Sequence, residues 1–248
     1  MREVLLSGRG LVKRFGETTV LNGVDIDLCA GDFTVVMGAS GSGKSTLLYA
    51  LSGMDKVTEG EITYRETVMT GLTENEMTKL RAGEFGFVFQ RTHLVSNLTL
   101  HENILLAGYA GGTLSEKEAR EEALRLIARM GLGQAKDRLP AQVSGGEAQR
   151  AAVARAVIGH KRMLFADEPT GALNKANTNE VLDLLSSLHA QGQTVLLVTH
   201  DQDAALRGNR LLYLEDGAII GELRLAPYQK KDMVREATLS KWLASLRW

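Results

Sequence analysis

The stretch Gly38-Ala39-Ser40-Gly41-Ser42-Gly43-Lys44-Ser45-Thr46 constrains this chain more than any other. An apolar run, Phe33-Thr34-Val35-Val36-Met37, leads into it, and Leu47-Leu48-Tyr49-Ala50-Leu51 follows. A buried strand, a glycine-rich loop, Lys-Ser and a helix, in that order, make a phosphate-binding loop. Gly38, Gly41 and Gly43 let the backbone turn tightly and bring bare N–H groups against phosphate oxygens. The helix that follows turns its unpaired N–H groups and positive dipole end toward the same anion. Lys44 adds a point charge at the outer phosphates, and the Ser45 hydroxyl is placed to ligate Mg²⁺. A glycine/serine-rich surface turn would leave the strand before and the helix after unexplained.

Length and composition narrow the rest. At 248 residues the chain allows one large domain or a core with a small lobe. A net charge of −1 supplies no overall field toward nucleic acid, and no nucleic-acid partner is expected. The single cysteine, Cys29, excludes an internal disulfide and reads as a small core residue. The N-terminus has no signal-peptide shape, and no apolar run approaches the roughly 18–20 residues needed to cross a bilayer. The chain is therefore expected to be soluble and to serve a membrane only through a partner.

Residues 3–35 read as antiparallel strands with turns at Arg14-Phe15-Gly16-Glu17 and Ala30-Gly31-Asp32. A large aromatic in a turn fits two roles, so Phe15 either stacks on a base or packs into the core. Residues 59–64 read as a strand, Thr73 to Glu76 as a capping box for a helix ending near Arg81, and residues 85–89 as a strand ending on Gln90. Strand ends are where α/β sheets place ligands, so Gln90 is positioned to reach a metal or water. Ser115 to Glu118 opens a charged helix with the stripe Ala119, Ala123, Leu126, Ile127 and Met130. Val143-Ser144-Gly145-Gly146-Glu147 opens an alanine-rich helix running through Arg155 to Ile158, a second small-residue helix end suited to an anion.

Met163-Leu164-Phe165-Ala166 then runs into Asp167-Glu168-Pro169. Two carboxylates ending an apolar strand are costly without a task. Asp167 suits Mg²⁺, directly or through water, and Glu168 suits orienting or deprotonating an attacking water. A solvated turn is the plain alternative. Ala176 to Ala190 reads as a helix burying Val181, Leu184, Leu185 and Leu188, and Thr194 to Thr199 as a core strand ending on His200-Asp201. His200 at that terminus suits a hydrogen bond to a terminal phosphate, whereas His93, His101, His160 and His189 read as surface or packing residues. Leu211 to Gly221 reads as a hairpin turning at Asp216-Gly217. In the tail, Leu239, Trp242, Leu243 and Leu246 follow helical spacing beside Arg235, Lys241 and Arg247. Packing onto the chain's own core and a basic amphipathic docking helix both fit that stripe.

In order and spacing these motifs resemble the ATP-binding subunit of an ABC transporter, over almost the whole chain. By that resemblance the glycine-rich loop is the Walker A motif, Gln90 the Q-loop, Val143 to Glu147 the signature, Met163 to Glu168 Walker B and His200 the switch histidine. It implies an α/β fold: a P-loop NTPase (RecA-like) core with an N-terminal antiparallel β lobe and an inserted α-helical subdomain. The ATPase domain would occupy residues 1–228, with the helical insertion at about 91–158, and residues 229–248 would form a C-terminal amphipathic helical tail. ATP and Mg²⁺ are the implied cofactors. Phe15, Gly38, Ser40, Gly41, Ser42, Gly43, Lys44, Ser45 and Thr46 would bind nucleotide, with Phe15 against the adenine. Ser45, Gln90 and Asp167 would serve the metal, and Glu168, His200 and Gln90 the hydrolysis.

The resemblance also implies partners. A second copy would face the first head to tail, so that Ser144, Gly145, Gly146 and Glu147 of one contact the ATP held by the other. An integral-membrane permease would be driven from the cytoplasmic face, where the chain would sit peripherally. The segment His93 to Tyr109, with Leu94, Val95, Leu98 and Leu100 read as exposed, would receive it. Glu147 and Asp167-Glu168-Pro169-Thr170-Gly171 are similar to the LolD/MacB-type subgroup of macrolide, lipoprotein and antimicrobial-peptide systems, which implies an exporter of peptide, antibiotic or lipid-like substrates. The cell-division ATPase FtsE is similar too, so a mechanical or regulatory role without transport is the alternative. Two departures stand out. Val143 replaces the family's usual Leu, and Asn174 replaces its usual Asp, keeping an acceptor but losing the charge.

Overall fold

The computed structural model describes residues 3–230 and 232–246; Arg247, counted above with the tail's charges, lies outside them. The chain forms two compact units, one built by the chain up to Thr73 and from His189 onward, the other by Glu74–Leu188. In chain order the first unit holds β1 (Val4–Phe15), β2 (Thr18–Cys29), β3 (Phe33–Met37), α1 (Lys44–Leu51), β4 (Glu59–Tyr64) and β5 (Thr67–Val68). The second holds α2 (Glu74–Glu84), β6 (Phe85–Phe89), α3 (Leu100–Ala110), α4 (Glu116–Arg129), α5 (Gly145–Val157), β7 (Met163–Asp167) and nearly all of α6 (Lys175–Ala190). The first then resumes with β8 (Thr194–Val198), α7 (Gln202–Ala205), β9 (Arg210–Glu215), β10 (Ala218–Arg224) and α8 (Met233–Ser245).

In the first unit the antiparallel sheet runs β2-β1-β4-β5. Its strands alternate: Leu6, Leu11, Leu21, Val24, Ile26 and Leu28 turn inward while polar neighbours face out. β3 pairs in parallel with β8 on one side and with β9 on the other. Phe33–Met37 and Thr194–Val198 are buried at every residue, which suits strands covered on both faces and explains their uninterrupted apolar runs. β9 and β10 close a hairpin through Asp216 and Gly217, both at positive φ (46° and 74°). That backbone matches the right-handed strand twist, which is why Asp-Gly marks such turns.

In the second unit β6 and β7 pair in parallel, in register from Phe85↔Met163 to Phe89↔Asp167. α4 begins at a reciprocal Ser115–Glu118 cap and buries Ala119, Ala123, Leu126 and Ile127, with Met130 buried just beyond its last residue. α6 buries Val181, Leu182, Leu185 and Leu188, whereas Leu184 is half-buried. Consecutive leucines satisfy two adjacent helical rows, and only the packed neighbours select between them. Leu100, expected at the surface, is fully buried as the first residue of α3.

Phe15 is the last residue of β1 and not part of the turn, paired with Thr18 across the two-residue turn Gly16-Glu17, and of its two roles left open packing into the core is excluded by its 53% exposure. The tail forms α8 and lies on the first unit's own body. Leu239 and Leu243 are buried, Trp242 meets Tyr213 edge-on at 6.4 Å, and Arg235 donates to the carbonyls of Leu206 and Ala226 at 2.6 Å each and to that of Gly208.

Candidate functional site

The expected site residues divide between the units. Phe15, the glycine-rich loop and His200 belong to the first; Gln90, Ser144 to Glu147, Asp167 and Glu168 belong to the second.

The loop between β3 and α1 is shaped by close backbone approach. Gly38 has φ 154°, and a Cβ there would stand 2.2 Å from the Leu214 carbonyl oxygen. Gly43, at φ 100°, is the N-cap of α1, and a Cβ there would stand 2.8 Å from the Val20 carbonyl oxygen. Any side chain at either position would force the loop open. Because the cap is glycine, it supplies no side-chain cap bond to α1, whose first turn carries no acidic residue. The end of the helix is thus left suited to an external anion. Lys44 is 8% exposed and folds back over the loop, donating to the carbonyls of Gly38 and Ala39 at 2.8 Å each. Ser45 and Thr46, half-buried, follow in the first turn.

Phe15 stands over a cation. Lys13 Nζ lies 4.8 Å from the ring centroid and donates to Asp55 Oδ1 at 2.7 Å and to the Lys56 carbonyl at 2.6 Å. Sequence patterning does not single out Lys13, a buried lysine in an alternating strand. His200 is exposed just past β8, where Asp201 caps α7 by accepting from the Asp203 N–H at 2.8 Å.

In the second unit the parallel register delivers Gln90 and Glu168 together. Phe89 pairs with Asp167, so the next residue of each strand emerges at the same edge. Asp167 is buried, and Glu168 takes φ 45°, a conformation that costs a non-glycine residue and concentrates at functional positions. The Gln90 amide reaches the loop after Glu168, where a Cβ on Gly171 would stand 2.9 Å from its Nε2.

Ser144 is the N-cap of α5. Its hydroxyl accepts from the Glu147 N–H at 3.2 Å, while its own N–H and hydroxyl donate to Glu147 Oε2 at 2.8 Å each. The Ser144 N–H first, then its hydroxyl, holds the Glu147 carboxyl below the ordinary carboxylate range. Gly146 is buried, with Asn177 at 2.5 Å from where a Cβ would lie. Asn174 accepts from the Asn177 N–H at 3.0 Å at the start of α6, so the residue that departs from the family pattern is an N-cap.

The donors expected at the metal are all oxygens: the Ser45 hydroxyl, the Asp167 carboxylate and the Gln90 amide. Ser45 lies in the first unit and the other two in the second, and oxygen donors of these types suit Mg²⁺.

The family described as ABC transporter matches residues 21–171, and this chain belongs to that family. It is 42% identical over 232 residues to the macrolide export ATP-binding/permease protein MacB 1 of Aeromonas hydrophila, covering 92% of this chain and 36% of that protein. It is 38% identical over 255 residues to the corresponding MacB of Pasteurella multocida, covering 100% of this chain and 39% of that protein. The chain thus spans a little over a third of the length of these relatives. Among solved structures it is similar to the ATP-binding cassette MJ0796 as a dimeric post-hydrolysis state bound to ADP and Pi, with TM-score 0.82, 35% identity, and coverage of 90% of this chain and 100% of that one. The fold is therefore that of an ABC cassette: an α/β P-loop core, an antiparallel β lobe and a helical insertion. Among the described residues no helix is long and apolar enough to cross a membrane.

Proposed function

We propose that this chain is the ATP-hydrolysing subunit of an ABC transporter, working as a pair of copies that close on two ATP molecules and drive an integral-membrane permease. The observation that carries the proposal is the glycine-shaped loop at α1, whose glycine-capped helix end and adjacent Lys44 suit a polyphosphate. Loop amides and Lys44 hold the phosphates, with Lys44 exchanging its two loop carbonyls for phosphate oxygens. The exposed Phe15 ring takes the adenine on a π-face. Ser45 and Asp167, with Gln90, would hold Mg²⁺, which would supply positive charge to offset that of the phosphates. Glu168 orients the attacking water and accepts its proton, and His200 donates to the terminal phosphate. Ser144, Gly145 and Gly146 at the start of α5 meet the partner copy's ATP, while Glu147 fixes the Ser144 side chain.

The relatives' names, macrolide export ATP-binding/permease protein, support reading the chain as serving an exporter of peptide, antibiotic or lipid-like substrates, bound to its permease on the cytoplasmic face of the membrane. Residues 1–228 then constitute the ATPase domain, and the segment from 229 onward, which holds α8, an appended tail. Titration of the purified chain with ATP and Mg²⁺, followed by phosphate release, tests the reading. Saturable binding with slow release that rises on adding the co-purified permease is expected, and absence of nucleotide binding overturns it.

A further inference from the structure

Three side-chain hydrogen bonds tie α5 to the main chain on both sides of Gln90. Gln149, 1% exposed, donates from Nε2 to the Phe89 carbonyl at 2.9 Å. Six residues further on, Arg155 donates from one guanidinium nitrogen to the Thr92 carbonyl at 2.7 Å and from the other to the His93 carbonyl at 2.6 Å. His93 is at φ 47°, and its ring stands edge-on to Phe89 at 5.3 Å, so the segment curls back on the strand it left. The acceptors are all backbone, and the fork of the guanidinium spans two successive peptide units in a geometry no lysine reproduces. Burial depresses the Arg155 pKa, a cost the two carbonyls offset.

From this we infer that Arg155, aided by Gln149, is a positioning residue: it fixes the backbone flanking Gln90 and so aims that amide at the reacting phosphate and its metal. The inference deepens the function proposed above and depends on the role given there to Gln90. It also gives α5 a second task. Its N-terminus carries Ser144, which meets the partner copy's nucleotide, and its middle and last turns hold the chain's own Gln90. One rigid helix of thirteen residues therefore links the two.

A double-mutant cycle tests this on the full-length chain. Arg155→Gln, Arg155→Lys, Gln90→Ala and the combination Arg155→Gln/Gln90→Ala are compared for kcat, KM for ATP, thermal midpoint and amide hydrogen exchange without nucleotide. Misplacing a reacting group through its support costs about 10- to 100-fold in rate. Arg155→Gln should lower kcat by that order with KM nearly unchanged, and speed exchange at residues 90–95 more than elsewhere. Arg155→Lys, which keeps the charge but loses the fork, should fall between, and Arg155→Gln should add nothing in the Gln90→Ala background. Additive losses, wild-type kcat in Arg155→Gln, or exchange rising evenly through the unit would overturn the positioning role while leaving Gln90 in place. Wild-type turnover of Gln90→Ala would instead remove Gln90 from the proposed mechanism and the inference with it. Should Arg155→Gln not fold, Arg155→Lys and Gln149→Leu carry the same cycle against Gln90→Ala.

Discussion

Glu168 is held in a left-handed conformation at the end of a wholly buried strand, an expense that makes sense for a group whose direction matters. With its carboxylate replaced in Glu168→Gln, hydrolysis should fall about 10²–10⁴-fold while ATP still binds, and the variant should accumulate as an ATP-bound dimer by size exclusion. Turnover near wild type, with contaminating ATPases excluded, would remove the assignment. Lys44 brings a positive charge to the outer phosphates, so Lys44→Ala should weaken ATP binding by about 10- to 100-fold in a nucleotide titration. Asn174 caps α6, a task Asp performs equally well. Asn174→Asp should therefore leave the thermal midpoint unchanged while altering the rate or Hill slope of hydrolysis through the added charge, whereas Asn174→Ala should cost about 1 kcal/mol of stability. The loop, the carboxylate pair and the signature were legible from sequence because each combines rare residues at fixed spacing. Arg155 and Lys13 were not, because their partners are carbonyls and a ring that only folding brings near.

Among the helices of the second unit, α3, α4 and α5 begin at the same device. Thr99 with Glu102, Ser115 with Glu118 and Ser144 with Glu147 each form a reciprocal cap, and the backbone and hydroxyl bonds hold all three carboxyls below their ordinary range. Groups with depressed folded pKa values contribute stability that is present above the unfolded value and lost as pH falls through the folded one. The thermal midpoint should therefore drop as pH falls below about 4, and Glu147→Gln should flatten that acid limb, measured by circular dichroism. In the first unit α8 is held by one buried cation. Arg235→Ala would strand the carbonyls of Leu206, Gly208 and Ala226, and should destabilise the protein by about 2–4 kcal/mol in a denaturant titration. A midpoint matching wild type would show that α8 lies on the surface without supporting it. The tail's apolar spacing admitted packing or docking, and the buried Leu239 and Leu243 show that it packs.

For the molecule as a whole, the function proposed demands surfaces for two partners. α3 exposes Leu106 (50%) and Tyr109 (38%), and the segment before it exposes Val95 (42%), apolar groups that a solvated helix has no need of. Leu106→Asp should weaken association with the permease in co-purification while hydrolysis by the isolated chain persists. Retained association would place the permease elsewhere. Leu100 is unsuited to such a test, because a charge in its buried site would unfold the helix.

By itself the sequence determined the phosphate loop, the strand and helix identities around it and the family, since glycine placement, apolar runs and helix caps act locally and are written in neighbouring residues. It also marked Asp216-Gly217 as a hairpin turn, because positive φ at both positions excludes most other residue pairs. Tertiary structure alone decided which of Leu182 and Leu184 is buried, that Leu100 belongs to the core, that Phe15 ends a strand with its ring exposed, and that α5 grips the backbone around Gln90. The physical reason is common to all four. Burial and backbone acceptors are set by what packs across from a residue, and an apolar side chain or an arginine carries no mark of its eventual neighbour.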